Sequence, residues 1–463
     1  MNHLGKRTIS ILLFACAFLV INGCVKNIPT MTDEDGFIYE ANGAGSYTVY
    51  LDNLIDQETI VVPSTYNDRP ITAVGTKYDS ADGITRTVTI PEGVLTILPY
   101  AFSHWRALAT VELPASIWGL LTGAFYGCES LTSFTVPEQV ITIQARVFEG
   151  CIRLASLVIG ENVQAIDIMA FIGCVDLTEI EFVDNPWYVF QDGVLYDSAI
   201  NVLLIYMPSN TAQTYRIIDG VTKIAAQAFR HNRTLVHLTV PGVWDIAEYA
   251  FNDCDKLETI VLEAGVGHIG EEAFSDCDRL SSVTFSESIE TIDDGAFSND
   301  SALLSIELPA SVTAIGAGAF AGCDSLSVFT VSQGSDSFAV IENVVFTKEL
   351  DELVFYPGGK TDSTYIVPIH VRVIKASAFE GNNHLGLLII ASGVLTIETR
   401  AFAECDGLNT AFIPLSVTVI GRQAFDGIES VILNCEAASK PVGWNETWAT
   451  GGQTVIWGSA YHP

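Results

Sequence analysis

Basic side chains are what this sequence most conspicuously lacks. Over 463 residues, 22 Lys and Arg stand against 55 Asp and Glu, a formal net charge of −33. A surface that acidic repels phosphate backbones and anionic headgroups, which argues against nucleic-acid binding and favours basic patches on a protein partner. The acids are spread along the chain rather than gathered in a tail. They therefore read as a solvated face that keeps an apolar-rich chain in solution. Asp276, Asp278, Asp293 and Asp294 could bind cations weakly, but no dedicated metal or cofactor site is expected.

Catalytic patterns are also missing. The chain has no GxSxG, no HExxH and no phosphate loop, and its scattered histidines pair with no Ser or Cys in a nucleophile motif, so no enzyme is expected. Ten cysteines are present, none in a CxxC or Cys/His spacing that would suggest zinc. Cys128, Cys151, Cys174, Cys254, Cys277, Cys323 and Cys405 each sit three residues after a phenylalanine. In stacked turns their Cβ vectors would run parallel and not meet, so free, buried thiols acting as small apolar groups are expected.

Only one long apolar run occurs, Ile9 to Ile21, preceded by Lys6 and Arg7. It is shorter than the roughly 20 residues a bilayer-spanning helix needs and has the proportions of a signal peptide. Ile21-Asn22-Gly23-Cys24 resembles a bacterial lipobox. That resemblance implies cleavage before Cys24 and a lipid on its sulfur, the sole expected link to a membrane; the alternative is an ordinary secretory signal with Cys24 incidental. Removing residues 1–23 takes away Lys6 and Arg7 and no acid, leaving 20 basic against 55 acidic side chains.

What the sequence has in abundance is a period. Phe102, Phe125, Phe148 and Phe171 are 23 apart; Phe229, Phe251, Phe274, Phe297 and Phe320 follow at 22, 23, 23 and 23; Phe379, Phe402 and Phe425 return to 23. Alanine precedes each of them except Phe148, which follows Val147. A fixed period of 20–29 residues marks a leucine-rich-repeat solenoid, whose units bury their apolar faces only by stacking. In the unit from Leu257 to Leu280, Ile260 and Leu262 alternate with Val261 as a short strand would. Ile269-Gly-Glu-Glu-Ala-Phe274 reads as one helical or 3₁₀ turn. The expected fold is thus an α/β repeat, a solenoid of 23-residue units with short strand plus helical turn. At about 4.8 Å per stacked strand, its phenylalanine-bearing units and insertions give a body on the order of 70 Å long.

The gaps from Phe171 to Phe229 and from Phe320 to Phe379 carry matching inserts. The first holds Trp187-Tyr188, Asp192-Gly193-Val-Leu-Tyr196 and Leu203-Leu-Ile-Tyr206; the second holds Glu342-Asn343-Val-Val-Phe346 and Leu353-Val-Phe-Tyr356. Both read as β-hairpins turning where positive φ is tolerated. Trp187, Tyr188, Tyr206 and Tyr356 either close the hairpin onto the solenoid or are exposed for partner contact. The expected organisation is a signal peptide (1–23), an N-terminal linker and cap (24–85) and a first array (86–182). A hairpin insertion (183–221), a second array (222–332) and a second insertion (333–371) follow. A third array (372–435) and a tryptophan-rich cap (436–463) complete it.

The unit LxxIxLPxxVxxIGxxAFxxC, with DGVLY…LLxYxP inserts, resembles the BspA-like (treponemal) leucine-rich-repeat family over about residues 86–435. The resemblance implies a bacterial surface protein, lipid-anchored and facing outward from the outer membrane or cell surface, that mediates adhesion. Its partner would be a protein such as one of the host extracellular matrix, and no catalysis is implied. A polysaccharide-binding envelope lipoprotein and a structural spacer are the alternatives.

The outward residue of each strand can be traced down the array: Thr89, Glu112, Thr135, Val158, Glu181, Thr239, Val261, Thr284, Glu307 and Thr330, then Ile389, Phe412 and Ile432. The last three turn apolar, with Leu387 in the neighbouring lane. Contiguous apolar surface signifies contact: the patch either anchors a partner around Phe412 or lies under the tryptophan-rich tail.

Overall fold

The computed structural model describes residues 31–42, 45–52, 56–77 and 83–459. The chain winds into a leucine-rich-repeat β-solenoid of about 18 turns with almost no helix. Each turn has three sides. One carries strands of three or four residues, such as His237–Val240, Thr259–Leu262 and Ser282–Thr284, paired in parallel with the turn before and after. A second carries two-residue strands, Lys223–Ile224, Asp245–Ile246, His268–Ile269, Thr291–Ile292 and Ala314–Ile315, also parallel and in register. The third side carries the Ala-Phe pairs.

That third side corrects the expected helical turn. Two residues before and two after the phenylalanine, the backbone is left-handed in turn after turn: Tyr249 (φ 56°) and Asp253 (φ 59°) flank Phe251, and Glu272 (φ 48°) and Asp276 (φ 60°) flank Phe274. Left-handed residues at both places break any helix. They instead aim the amides along the solenoid. Tyr249 N donates to Glu271 O (2.9 Å), Phe251 N to Ala273 O (2.7 Å) and Asp253 N to Ser275 O (2.9 Å). The corner is therefore a third hydrogen-bonded ladder. Where glycine fills a left-handed position, as at Gly150 (φ 74°) or Gly381 (φ 76°), the conformation carries no Cβ penalty. One repeat departs. Met169, two before Phe171, lacks the positive φ, and Ile168–Phe171 winds into a 3₁₀ turn capped by Asp167.

Inside this corner the phenylalanine rings stack. Phe251–Phe274, Phe274–Phe297 and Phe297–Phe320 have centroids 4.9, 5.2 and 5.4 Å apart and interplanar angles of 7°, 8° and 2°. The spacing approaches the strand repeat, so one ring per turn fills the axis without a gap. The preceding alanine is buried because its carbonyl must meet the phenylalanine amide of the turn before, leaving room for a methyl and little more. The cysteine three residues on completes the corner. Its thiol donates to the phenylalanine carbonyl one turn earlier, at 3.0–3.3 Å, from Cys128 onto Phe102 through Cys405 onto Phe379. All the described cysteines are free and buried, and burial pushes the Cys151 thiol up to about 12.

At the insertions the chain adds antiparallel strands. Tyr188–Gln191 pairs with Val194–Asp197, which pairs with Val202–Tyr206, and that strand rejoins the parallel ladder at Lys223–Ile224. Phe338–Ile341, Val344–Thr347 and Glu352–Phe355 repeat the arrangement. The connecting pairs Asp192-Gly193 and Glu342-Asn343 all have positive φ. At the far end, Thr454–Trp457 joins Ile432–Cys435 in parallel, and Trp448 O accepts from Phe425 N in the place that alanine holds elsewhere.

Position 300, where seven other turns carry cysteine, holds a buried acid. Asp300 is fully buried; its Oδ1 accepts from Cys277 N (2.8 Å), while Oδ2 is sealed in without a partner. Burial holds this carboxyl well above the usual value of 3.8. Asn232 and Asn382 occupy the same place after Phe229 and Phe379, and their Oδ1 atoms accept from Leu235 N (2.8 Å) and Leu385 N (2.9 Å). A raised folded-state value means that Asp300 favours the fold only while protonated; that contribution is complete below about pH 3.8 and is lost as pH rises. Asp300→Asn should therefore stabilise the protein by about 1–3 kcal/mol at pH 7.5 and by little at pH 3.5, as read by denaturant unfolding at the two pH values.

Candidate binding face

The longer strands form the solenoid's broadest regular surface. Their inward residues, such as Leu238, Ile260 and Ile306, are 1% exposed, and the residues between them face outward. In the first two arrays that outward lane is mainly Thr and Glu, with ladder partners Thr89↔Glu112, Val158↔Glu181 and Glu307↔Thr330. Thr89 Oγ1 donates to Glu112 Oε2 at 3.0 Å, so neighbouring lane residues pair across turns.

The third array turns the lane apolar. Ile366 pairs with Ile389, Ile389 with Phe412 and Phe412 with Asn434, and Asn434 then faces Ile456. Ile366 is 59% exposed and Ile456 43%, Phe412 is half-buried and Ile389 is buried. Ile432, expected in this lane, is instead one position over. It pairs with Thr410 and continues the lane of Leu387. The cause lies in the sequence Val431-Ile-Leu-Asn-Cys435, where three core residues alternate with Ile432, which is exposed, and Asn434, which is buried at the foot of the lane. Either of these two satisfies a period of two. Pairing of Leu433 with Ala411 selects Asn434. Among the described residues, the tail extends the same sheet edgewise as Thr454–Trp457, and Trp444 and Trp448 pack on the end of the core. Residues 460–463 lie outside the described residues.

The aromatic residues of the insertions divide. Tyr206 and Tyr356 are buried, which fits the closing of the insert onto the solenoid and not, at these two positions, an exposed partner contact. Tyr206 stacks on Phe229 at 4.6 Å and Tyr356 on Phe379 at 4.7 Å, each supplying the first ring of the next array where no Ala-Phe pair exists. Trp187 is 48% exposed, and Tyr188 is half-buried with its hydroxyl donating to Gln164 O (2.8 Å). Cys24 lies outside the described residues.

Sequence patterning gave no sign of a parting in the first array. No strand ladder joins Thr110–Glu112 to Ser133–Thr135, nor Gly119–Leu120 to Thr142–Ile143, so both strand sides open between the same two turns. The Ala-Phe side stays closed there, with Phe125 N on Val147 O and Gly127 N on Glu149 O. Phe134, where most other turns carry Leu, Ile or Val, packs edge-on against both Phe125 and Phe148, 5.0 and 4.9 Å away. The Phe125–Phe148 stack stands at 6.0 Å and Phe148–Phe171, whose strands stay paired, at 6.1 Å, so the corner keeps its spacing across the parting. A groove of about 480 Å³ results, lined by Val111, Leu113, Pro114, Phe134, Val136 and Pro137 among others, with Glu138 at its rim. A second parting lies between Ser282–Thr284 and Ser305–Leu308, beside the additional ring of Phe285, though there the short strands remain paired. Among the described residues, no group of three or more His, Cys, Asp or Glu is placed to hold a metal ion.

Residues 80–200, 222–351 and 348–435 match the "BspA type Leucine rich repeat region" family in six copies. A leucine-rich repeat protein of Eubacterium ventriosum is 18% identical, with 89% of this chain and 96% of that one covered and a TM-score of 0.53. The pneumococcal vaccine antigen PcpA is 19% identical over 94% of this chain and 86% of its own (TM-score 0.40). A leucine-rich repeat protein of Bacteroides ovatus is 18% identical over 83% and 95% (TM-score 0.40). At such identities the likeness is one of fold. No curated protein matches the sequence.

The parting makes a measurable prediction. Ile90 N and Val136 N donate across to the next turn (onto Glu112 O and Val158 O), whereas the equivalent Leu113 N has no such ladder. Residue-resolved hydrogen exchange should show the Leu113 amide exchanging at least about tenfold faster than those of Ile90 and Val136.

Proposed function

Because the chain belongs to the BspA-type leucine-rich-repeat family, we propose that it is a non-catalytic, lipid-anchored protein of a bacterial cell surface whose strand face takes a protein partner in adhesion. Leucine-rich-repeat proteins generally bind proteins. The observation that carries the reading here is the apolar lane Ile366–Ile389–Phe412, set in a face that is otherwise polar. Exposed Ile366, beside buried Ile389 and half-buried Phe412 in the next two turns, gives an apolar anchor of the kind interfaces bury at their centre. The acidic surface around it, from a chain of net charge −33, attracts a basic partner and speeds encounter. A host extracellular-matrix protein with a basic patch fits that description. The groove at the first parting offers a second apolar recess on the same strand side.

Binding to a panel of host extracellular-matrix proteins, read by surface plasmon resonance, tests this. The double variant Ile366→Glu/Ile456→Glu should weaken binding by about tenfold or more, and because both side chains are well exposed, its melting temperature should stay within about 2 °C of the parent. Absence of saturable binding to any protein in the panel overturns the reading.

The anchor is proposed at Cys24, on the apolar run and the Ile21-Asn-Gly-Cys24 sequence. In bacterial expression, radiolabelled palmitate should enter the parent chain and not Cys24→Ser. Equal labelling of the two removes the lipid from the proposal.

A further inference from the structure

Two tryptophans stand at the same place on the short-strand side, one in each of the first two arrays. Trp118 N donates to Leu95 O and Trp244 N to Thr222 O, and the side chains are 57% and 51% exposed. What lies beneath Trp244 sets it apart. A Cβ on Gly267, one turn along, would lie 2.3 Å from Cζ3 and 2.5 Å from both Cε3 and Cη2 of the indole. Near-equal distances to three consecutive ring atoms put that position over the ring's face, not its edge. Gly267 is not left-handed, so its backbone does not demand glycine; the ring does. The indole is therefore laid flat against the solenoid wall, one face packed on backbone and the other toward solvent.

Beside this platform runs a ladder of polar side chains. Asp245 follows Trp244 and His268 follows Gly267, and Lys223, Asp245 and His268 are direct partners in successive turns. Lys223 Nζ is 2.5 Å from Asp245 Oδ2; His268 Nδ1 is 2.7 Å from Asp245 Oδ1, and its Nε2 is 2.8 Å from Asp293 Oδ2. An imidazole with a carboxylate on each nitrogen donates from both and carries its proton. Two cations and two anions then cancel, so the ladder recommends neither a cationic nor an anionic ligand. Lys223 and Asp293 remain 45% and 46% exposed, fixed by their neighbours but open on their outer sides.

A flat aromatic face next to fixed, charge-neutral donors and acceptors matches a ligand that is apolar on one face, hydroxylated at its rim and uncharged. We propose that Trp244, on its Gly267 floor, together with the Lys223–Asp245–His268–Asp293 ladder, forms a subsite for a neutral pyranose unit of a polysaccharide. The sugar's C–H face stacks on the indole, and its hydroxyls meet Lys223 and Asp293. This site lies on a different side of the solenoid from the lane of Ile366 and Phe412 and stands independently of the protein-binding reading.

Isothermal titration of the purified full chain with neutral polysaccharides (β-glucan, α-glucan, glucomannan, arabinoxylan), and with a proline-rich peptide as the competing aromatic-stacking ligand, decides the matter. At least one polysaccharide should bind, with Trp244→Ala weakening it tenfold or more. Gly267→Val, which lifts the ring off its floor while leaving the indole present, should do the same with the parent circular-dichroism spectrum retained. Trp118→Ala, removing an equally exposed indole elsewhere, should change affinity less than twofold. No binding by any polysaccharide overturns the proposal. So does binding unaffected by Trp244→Ala and Gly267→Val, equal loss on Trp118→Ala, or peptide binding in place of sugar.

Discussion

Everything in this solenoid depends on the corner where one phenylalanine per turn stacks on the next. A turn of 23 residues cannot bury an apolar face alone; its core exists only between neighbours. The stack supplies that core at a spacing of 4.4–5.4 Å through the second array, close to the distance at which backbone ladders form. Three constraints follow from one geometry. The residue before the ring must be small, because its carbonyl receives the amide of the turn before. The residues two places to either side must accept positive φ. The residue three places on is buried, and in seven turns it is a cysteine whose thiol donates to the phenylalanine carbonyl of the turn before. Ala, Gly and Cys answer these demands most simply, and the chain pays a left-handed Cβ penalty wherever Tyr249, Glu272 or Arg400 stands instead.

The strand sides are less strictly held, and their departures carry the candidate functions. Beside Phe134 both strand ladders open while the corner stays closed, so a groove forms without breaking the core. Acid on the outward lanes and apolar side chains in the third array are likewise tolerated because the inward positions alone secure stacking. Trp244 shows the converse: an outward side chain so large that it dictates glycine in the following turn. A β-solenoid separates the two requirements spatially, with packing settled at the axis and recognition on the walls.

The architecture was legible in the sequence to an unusual degree. A period of 23, Ala-Phe pairs and cysteines three residues later identify stacked turns, parallel strands and buried thiols. The helical turn was misread because the apolar spacing around Ile269, Ala273 and Phe274 suits one helical turn and a left-handed corner equally. The two differ in φ at Glu272 and Asp276, and neither residue type announces a positive φ. Tyr206 and Tyr356 were legible as aromatic residues in the inserts, but their role as the first rings of new stacks follows from chain reversal in the insertions, not from the period.

By itself the sequence determined the repeat, the inward set of each strand and the acidic charge of the walls, since each of these is a local choice repeated at a fixed interval. Tertiary structure decided what depends on which turn lies beside which. It placed Asn434, not Ile432, next to Phe412, because strand alternation leaves two registers open and only pairing across turns chooses between them. It parted the sheets at Phe134 and laid Trp244 over Gly267. Those contacts join residues some 23 positions apart, and whether they close depends on side-chain volume at a shared level of the stack, a quantity that no single turn contains.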